Sequence, residues 1–459
     1  MILTLRPYQQ QAVHDLRLAF RAGARSPLLV CPTGAGKTVI MADILRSIAS
    51  RGRTAMVLVH RRELIAQTAH KLDLVGVPHG IIAAGTRSAD APIQVASVQT
   101  LARRLERTTA QPDLIVIDEA HHAIAGTWGK ALSHWPDALR LGVTATPVRL
   151  DGRGLGAVFD KLVLGPSTAQ LIADGFLCPA RLYAPAPVAD LSGLHRRAGD
   201  YAIDQAAERM DRPTVTGDAI AHYQRLAASQ RAIVFCCNVN HAEHVAAAFN
   251  QAAIPAETLL GSTDPVRRDV AVARFASGEL QVLVTVDVVS EGFDIPAAGC
   301  AILLRPTQSL GLYLQQVGRV LRPAPGKPHA IVLDHVGNVH RHGWPDDPRD
   351  WSLDDRLRRT SSAGPAAPTV RTCEVCFAAF KPAPICPVCS TACAPPPARK
   401  LRQVDGELKE LQRVNAQLRV AERKRAQTLP ELLAIARARG YSPGWAHRVL
   451  AARQQRRHA

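Results

Sequence analysis

No stretch of the 459-residue chain approaches the roughly 18 consecutive apolar residues that a membrane-spanning helix needs, which argues against a membrane protein. The opening Met1-Ile2-Leu3-Thr4-Leu5-Arg6 lacks a basic stretch followed by an apolar core, so no secretory signal is expected. No internal repeat is visible. The ten cysteines are not spread as a disulfide framework: five crowd between Cys373 and Cys393, and the rest stand in apolar surroundings. That usage points to a reducing cytoplasm and to metal binding. Acidic residues are few, 39 against 56 Lys and Arg, and the formal charge is +17. Such a surplus favours a polyanionic partner, nucleic acid before an anionic membrane surface, although an Arg-rich proteome gives the same balance.

What is present is a globular composition, 47% hydrophobic, with core enough for two or three domains. Residues 1–150 alternate short apolar runs (Leu28–Val30, Ala55–Val59, Ile93–Ala96, Leu114–Ile117, Leu141–Val143) with helical stretches, the pattern of a parallel sheet covered by helices. Residues 151–225 are less regular and read as a connecting segment, with a helical insertion near Tyr201–Met210. A second α/β unit, 226–345, has expected strands at Ala232–Phe235, Ala256–Leu260, Gln281–Val286, Cys300–Leu304 and His329–Leu333. A small-residue linker (346–370), a cysteine module (371–395) and a basic helical tail (396–459) follow.

The chain is organised around Cys31-Pro32-Thr33-Gly34-Ala35-Gly36-Lys37-Thr38, between the apolar Leu28-Leu29-Val30 and an amphipathic stretch to Ile48. Glycines let the backbone turn so that N–H groups point at an anion, and the helix start adds partial positive charge. Lys37 would reach the outer phosphates of a nucleotide, and Thr38 would offer its hydroxyl to Mg²⁺. Cys31 occupies the first glycine position of the strict pattern, so the match is to its shortened form. Downstream, Leu114-Ile115-Val116-Ile117 runs into Asp118-Glu119-Ala120-His121. Two carboxylates at a strand's C-terminal edge fit Asp118 as the metal-side acid and Glu119 as the group that orients the attacking water. Alone, the pair would be an ordinary solvated loop; behind a phosphate loop it indicates hydrolysis. His121 reads equally as a polar relay or as a packing residue.

Cys373-x2-Cys376, nine residues, then Cys386-x2-Cys389 is the spacing of two knuckles that can place four thiolates around Zn²⁺. Cys393 is a spare that could replace Cys389 in an alternative registry. Adjacent Cys236-Cys237 fits packing. The tail from Ala398 carries 15 Lys/Arg against 5 Asp/Glu, and Leu408, Leu411, Val414, Leu418 and Ala421 form a near-heptad stripe. It reads equally as an accessory docking module or as a solvated appendage.

Gly34-Ala35-Gly36-Lys37-Thr38, Asp118-Glu119-Ala120-His121, Thr144-Ala145-Thr146-Pro147 and Gln315-Gln316-Val317-Gly318-Arg319-Val320-Leu321-Arg322, in that order, resemble the superfamily 2 DEAD/DEAH-box helicases. Leu5-Arg6-Pro7-Tyr8-Gln9, Gly292-Phe293-Asp294, Leu304-Arg305-Pro306-Thr307 and a cysteine module behind the motor resemble the bacterial RadD-type DNA-repair ATPases; the compact module and the tail are unlike that group. The resemblance implies an α/β fold: two tandem RecA-like parallel-sheet domains, then a small zinc module and a helical basic tail. It implies that Arg6 and Gln9 read adenine, that Thr33, Gly34, Ala35, Gly36, Lys37 and Thr38 hold the phosphates, and that Gly292, Asp294 and Gln315 line the nucleotide. It makes Lys37, Asp118, Glu119, Arg319 and Arg322 the catalytic set, with both arginines as fingers across a cleft. It makes Thr144 and Thr146 the coupling element and Arg61, Gln99, Thr100 and Thr285 contacts to a nucleic-acid backbone; Asn238 and Asn240 are weaker candidates. The expected activity is ATP hydrolysis, with Mg²⁺, coupled to movement on DNA in repair or recombination, with repair proteins as partners and no membrane. An RNA helicase and an ATP-gated clamp without unwinding are the alternatives. A fused nuclease is not expected, because no further carboxylate cluster stands outside the motor.

Overall fold

Runs such as Ala55-Met56-Val57-Leu58-Val59 and Leu114-Ile115-Val116-Ile117 are apolar on both faces, which suits only a strand covered above and below. The computed structural model describes residues 4–60, 62–86, 89–123, 126–148, 154–184, 195–197, 200–286, 297–354, 370–393, 426, 428–438, 446–447 and 449–450. The chain divides into two compact units, Met1–Ala394 and Pro395–Ala459.

The first lobe of the larger unit runs α1 (Pro7–Arg21), β1 (Pro27–Val30), α2 (Lys37–Ala49), β2 (Ala55–Val59), α3 (Arg62–Leu74), β3 (His79–Ile82), β4 (Ile93–Ser97), α4 (Val98–Arg104), β5 (Leu114–Asp118), α5 (Gly126–Ser133), β6 (Leu139–Thr144) and β7 (Lys161–Leu164). Its seven strands are all parallel, in the order β3-β4-β2-β5-β6-β1-β7. The loops after β1, β5 and β6 therefore emerge side by side at one edge, where ligands of open α/β sheets bind.

α6 (Thr168–Ala173) and β8 (Ala180–Tyr183) come next, then a small antiparallel pair, β9 (Arg196–Arg197) and β10 (Asp200–Tyr201), and α7 (Ile203–Met210). The second lobe is built from α8 (Pro213–Leu226), β11 (Ala232–Phe235), α9 (Val239–Gln251), β12 (Ala256–Leu259), α10 (Pro265–Ser277), β13 (Val282–Thr285), β14 (Cys300–Leu303), α11 (Leu310–Gly318), β15 (Ala330–Asp334) and α12 (Asn338–His342). β16 (Arg371–Thr372) and β17 (Ala378–Phe380) complete one eight-stranded sheet, β12-β13-β11-β14-β15-β8-β17-β16. Only the cysteine-bearing hairpin is antiparallel there: Ala378 pairs with Tyr183, and Ala379 with Leu182.

The ten expected strands are all present. β3, β7, β8, β9, β10, β16 and β17 are additions. The segment read as a connector supplies β7 to the first sheet and β8 to the second, and the cysteine module is continuous with the second sheet. β3 and β7 mix polar and apolar residues because each lies at a sheet edge, which blurs the buried-strand signal.

In the C-terminal unit, α13 (Leu429–Ala438) begins where Thr428 N donates to Glu431 Oε2 at 2.9 Å, one half of a capping box. Leu432, Ala426 and Ala446 are buried together there. The stripe Leu408–Ala421 and the linker 355–369 lie outside the described residues. Among the described residues, no helix is long and apolar enough to cross a membrane.

Gly142 on β6 has no room for a side chain. A Cβ there would lie 2.6 Å from Leu28 Cδ1 and would press on the Phe159 ring. Gly142→Ala should destabilise the protein by about 1–3 kcal/mol through overpacking. Urea unfolding checks this; an unchanged midpoint would contradict the packing described.

Candidate active site

The phosphate loop has the geometry its glycines were expected to give. Gly34 (φ 90°) and Gly36 (φ 77°) are left-handed, and Gly36 caps α2, so the helix starts at Lys37. Lys37 Nζ lies 3.5 Å from Cys31 O, curled back over the loop. The loop hangs on its neighbours: Cys31 N donates to Thr144 O at 3.0 Å, and Ala35 O accepts from Tyr8 Oη and Gln9 Nε2, both at 3.1 Å.

Gln9 is 4% exposed, and its Oε1 also accepts the Arg6 N–H at 2.9 Å. One N–H and one lone pair of its amide are thus used inside the protein, and one of each stays available for a base edge. Beside it, the Arg6 guanidinium lies 4.8 Å from the centre of the Phe176 ring, against which Tyr8 packs edge-on at 5.0 Å. The sequence reading passed over Phe176. Its one signal was an aromatic directly after Asp174-Gly175 in a chain with few aromatics.

Asp118 ends β5 and is 5% exposed; Glu119, at 7%, adopts φ 48°, ψ 54°. That left-handed conformation costs a non-glycine residue on the order of 1–3 kcal/mol, and it turns the second carboxylate back into the site. Glu119 N donates to Asp118 Oδ1 at 2.9 Å. Burial, and then the Glu119 charge, push the Asp118 carboxyl up to about 6, while Lys37 pulls it down. Glu119 Oε2 is buried, accepts no hydrogen bond and lies 3.5 Å from His121 Nδ1. His121 Nδ1 is 3.1 Å from Thr144 Oγ1, which donates to Thr146 O at 2.9 Å and accepts from Thr146 N at 3.2 Å. Both threonines are buried.

The second lobe closes on this loop. At Gly318, a Cβ would lie 2.5 Å from Thr33 Cβ, and at Gly311 it would lie 2.9 Å from Thr146 Oγ1. A Cβ on Gly34 would come within 2.9 Å of Leu177 Cδ2 and 3.7 Å of Arg322 Cγ. The Arg322 side chain therefore runs alongside the phosphate loop, and burial lowers its pKa. Arg319, at the end of α11, and Gln315, within it, are 5% and 4% exposed. Gly292 and Asp294 fall in 287–296, outside the described residues.

The expected nucleic-acid contacts divide. Arg61 lies outside the described residues. Gln99 is exposed at the start of α4; its Nε2 donates to His60 O at 3.1 Å, and its Oε1 accepts from Ser97 Oγ at 2.9 Å. Thr100 N donates to the Ser97 cap at 3.4 Å. Thr285, by contrast, is wholly buried, and its hydroxyl donates to Leu259 O at 3.0 Å. In this structure that side chain serves the β12–β13 contact and presents nothing to a phosphate.

The Sγ atoms of Cys373, Cys376, Cys386 and Cys389 all lie within 4.8 Å of one another, with Cys373–Cys389 and Cys376–Cys386 at 3.6 Å. Tetrahedral Zn–S bonds of about 2.3 Å imply sulfurs about 3.8 Å apart, so the donor set fits that ion. The two knuckles are alike. Val375 N donates to Cys373 Sγ and Val388 N to Cys386 Sγ, each at 3.4 Å, and Phe377 and Ser390 follow with φ near +60°. The Thr391 hydroxyl and N–H hold the Cys389 thiol down to about 6. Cys393 stays outside the group, with Sγ 3.5 Å from Thr391 O.

Residues 2–149 match the family model "Type III restriction enzyme, res subunit", and residues 218–324 match "Helicase conserved C-terminal domain". A 51.5 kDa protein of a Lactococcus phage (isolate 7-9) is 34% identical over 324 residues, covering 71% of this chain and 68% of its own. The ATP-dependent helicase IRC3 of Saccharomyces cerevisiae is 30% identical over 356 residues, covering 72% of this chain. This chain spans about half the length of IRC3, 51%. The solved HsdR fragment of a type I restriction enzyme from Vibrio vulnificus YJ016 superposes with a TM-score of 0.59 at 22% identity, over 74% of this chain and 66% of that one, and shares the fold.

A buried carboxyl that keeps its proton longer folded than unfolded costs stability once charged. The cost builds from about pH 4 to about pH 6 and is fully present above. Asp118→Asn should therefore stabilise the nucleotide-free protein by about 3 kcal/mol at pH 7.5, and most of the gain should vanish near pH 4. Urea unfolding at both pH values measures it; equal effects at both would contradict the burial of this charge.

Proposed function

The chain belongs to the superfamily 2 helicases, and on that footing we propose that it is an ATP-driven motor that moves along DNA. The observation that carries the reading is the convergence, at one glycine loop, of a buried carboxylate pair from one lobe and an arginine side chain from the other. Lys37 and the N–H groups at the α2 start bind the β- and γ-phosphates. Glu119 orients the attacking water and accepts its proton; its unbonded, buried Oε2 is the free acceptor such a step needs. Mg²⁺ accompanying the nucleotide, held by Thr38 and Asp118, would supply positive charge against the phosphates. Arg322 and Arg319 answer the charge that develops on the transferred phosphoryl. Gln9 and Arg6, with Phe176 beside them, receive the adenine.

Coupling runs through Thr144 and Thr146. The Thr144 hydroxyl links His121, next to Glu119, to the Thr146 backbone, and Gly311 of the second lobe rests close to Thr146 Oγ1, so a shift at the γ-phosphate changes how the lobes meet. Arg61, Gln99 and Thr100 track the phosphate backbone without reading bases. DNA is favoured over RNA by the likeness to restriction-enzyme subunits and by the RadD-type motifs, which also support a role in repair or recombination with repair proteins as partners. Ten cysteines, none of them in a disulfide, fit the cytoplasm. The four-cysteine site holds Zn²⁺ as a closed structural centre.

Steady-state ATPase with single-stranded, duplex and forked DNA and with RNA tests the motor. DNA should stimulate most. Lys37→Ala and Glu119→Gln should each lower the rate by about a hundredfold or more. Wild-type hydrolysis in Lys37→Ala would reject the phosphate-loop assignment. Stimulation dependent on a 2′-hydroxyl would make it an RNA motor, and indifference to all nucleic acids would leave an ATP-gated clamp.

Changing Cys373 and Cys376 together to Ser should release one equivalent of zinc, measured by metal analysis of the purified protein. Basal hydrolysis should change by less than about twofold, because the thiols lie away from the cleft. A full equivalent retained by the double variant would reject these ligands.

A further inference from the structure

The backbone that carries the arginine pair is held by a lysine to which no role has been given. After Arg322 the chain makes a turn, Ala324-Pro325-Gly326-Lys327, closed by Lys327 N donating to Ala324 O at 3.1 Å. Pro325 and Gly326 (φ 73°) suit the two central positions of such a turn. The turn sends the Lys327 side chain back beneath the segment it has just left. Its ammonium donates to Val320 O at 2.6 Å, Arg322 O at 2.7 Å and Ala298 O at 2.8 Å. The carbonyl between, Leu321 O, accepts from Cys178 N at 2.8 Å, with Cys178 Sγ 3.2 Å away. Three consecutive carbonyls, 320 to 322, are thus fixed, and the Arg322 side chain passes beside Gly34.

We infer that Lys327 is a positioning residue for the arginine finger: its three donors set the 320–322 backbone so that Arg322 meets the phosphates. The inference deepens the motor reading and rests on it. An ammonium is a costly way to satisfy carbonyls, since burial and the neighbouring Arg322 cation both oppose its charge. What it provides is three strong, charge-assisted bonds from a single atom. The same ammonium ties Ala298, just ahead of β14, to the 320–322 segment.

The test measures kcat and KM for ATP, at saturating single-stranded DNA, in the full chain carrying Lys327→Met, Lys327→Gln, Arg322→Ala, and Lys327→Met with Arg322→Ala. Lys327→Met should lower kcat by about tenfold or more while KM stays within about twofold, since the group acts on the transition state rather than on binding. Lys327→Gln should fall between. In the Arg322→Ala background, Lys327→Met should cost nothing further, because its effect passes through that side chain. A kcat unchanged in Lys327→Met overturns the proposal, as does the same fall repeated without Arg322. If Lys327→Met does not fold, Lys327→Gln alone and with Arg322→Ala measures the same dependence and decides the question in the same way. Lys37→Ala in parallel separates the failures. Hydrolysis surviving there rejects the motor reading, whereas loss there beside an intact Lys327→Met rejects only the role of Lys327.

Discussion

The phosphate loop lies where no side chain can be added. Gly36 has Gln9 Nε2 2.5 Å from the place of its Cβ, and Gly34 has Leu177 at 2.9 Å; Gly318 of the facing lobe meets Thr33 in the same way. Close packing makes the loop a hub. Tyr8 and Gln9 of α1 hang on Ala35 O, Thr144 O accepts from Cys31 N, and Arg322 lies against Gly34. A nucleotide bound here, as proposed, would touch a surface shared by both lobes. Unequal contacts with two arrangements of the lobes would then bias how they meet, which is the requirement for any ligand-driven change of conformation.

Around the hub the charges are arranged at a cost. Asp118 and Glu119 are adjacent, buried and alike in sign, and Arg322 and Lys327 are two half-buried cations close enough to oppose each other's charge. Each pair would be easier to fold if neutral. On the proposed reading, the acid pair and Arg322 would face each other across a triphosphate and its cation, where their charges become complementary, while Lys327 holds the backbone behind Arg322. The left-handed Glu119 adds a local cost of the same kind.

How much of this was legible varies with the physics of each element. β1, β2, β5, β11 and β14 could be read because both their faces are buried and their runs are apolar throughout. The phosphate loop and the acid pair could be read because each needs specific residue types directly after such a strand. β8 could not: Ala180-Arg181-Leu182-Tyr183 is short, carries a charge and owes its place to partners, β15 and β17, distant in sequence. Thr285 shows the limit of motif transfer, since a position at the end of β13 does not say which way its hydroxyl points. Phe176 and Lys327 lie in loops, where neither periodicity nor spacing marks a residue, and only the fold reveals what they face.

The cysteine hairpin shows how a metal site can belong to a sheet. β8 would be the edge of the second sheet without β17, and an unpaired edge invites association with other chains. β17 covers it, yet β16 and β17 contribute only two and three residues, too few to hold by pairing alone. Cys373 and Cys386 are buried in the same cluster as Tyr183 and Phe380, so the thiols close the hairpin from inside the core. An ion bound by those four sulfurs would make its binding free energy part of the folding free energy of that edge. The module then protects the second lobe whether or not it also touches DNA, and the sheet's completion depends on it from a distance in sequence of nearly two hundred residues, Tyr183 to Ala378.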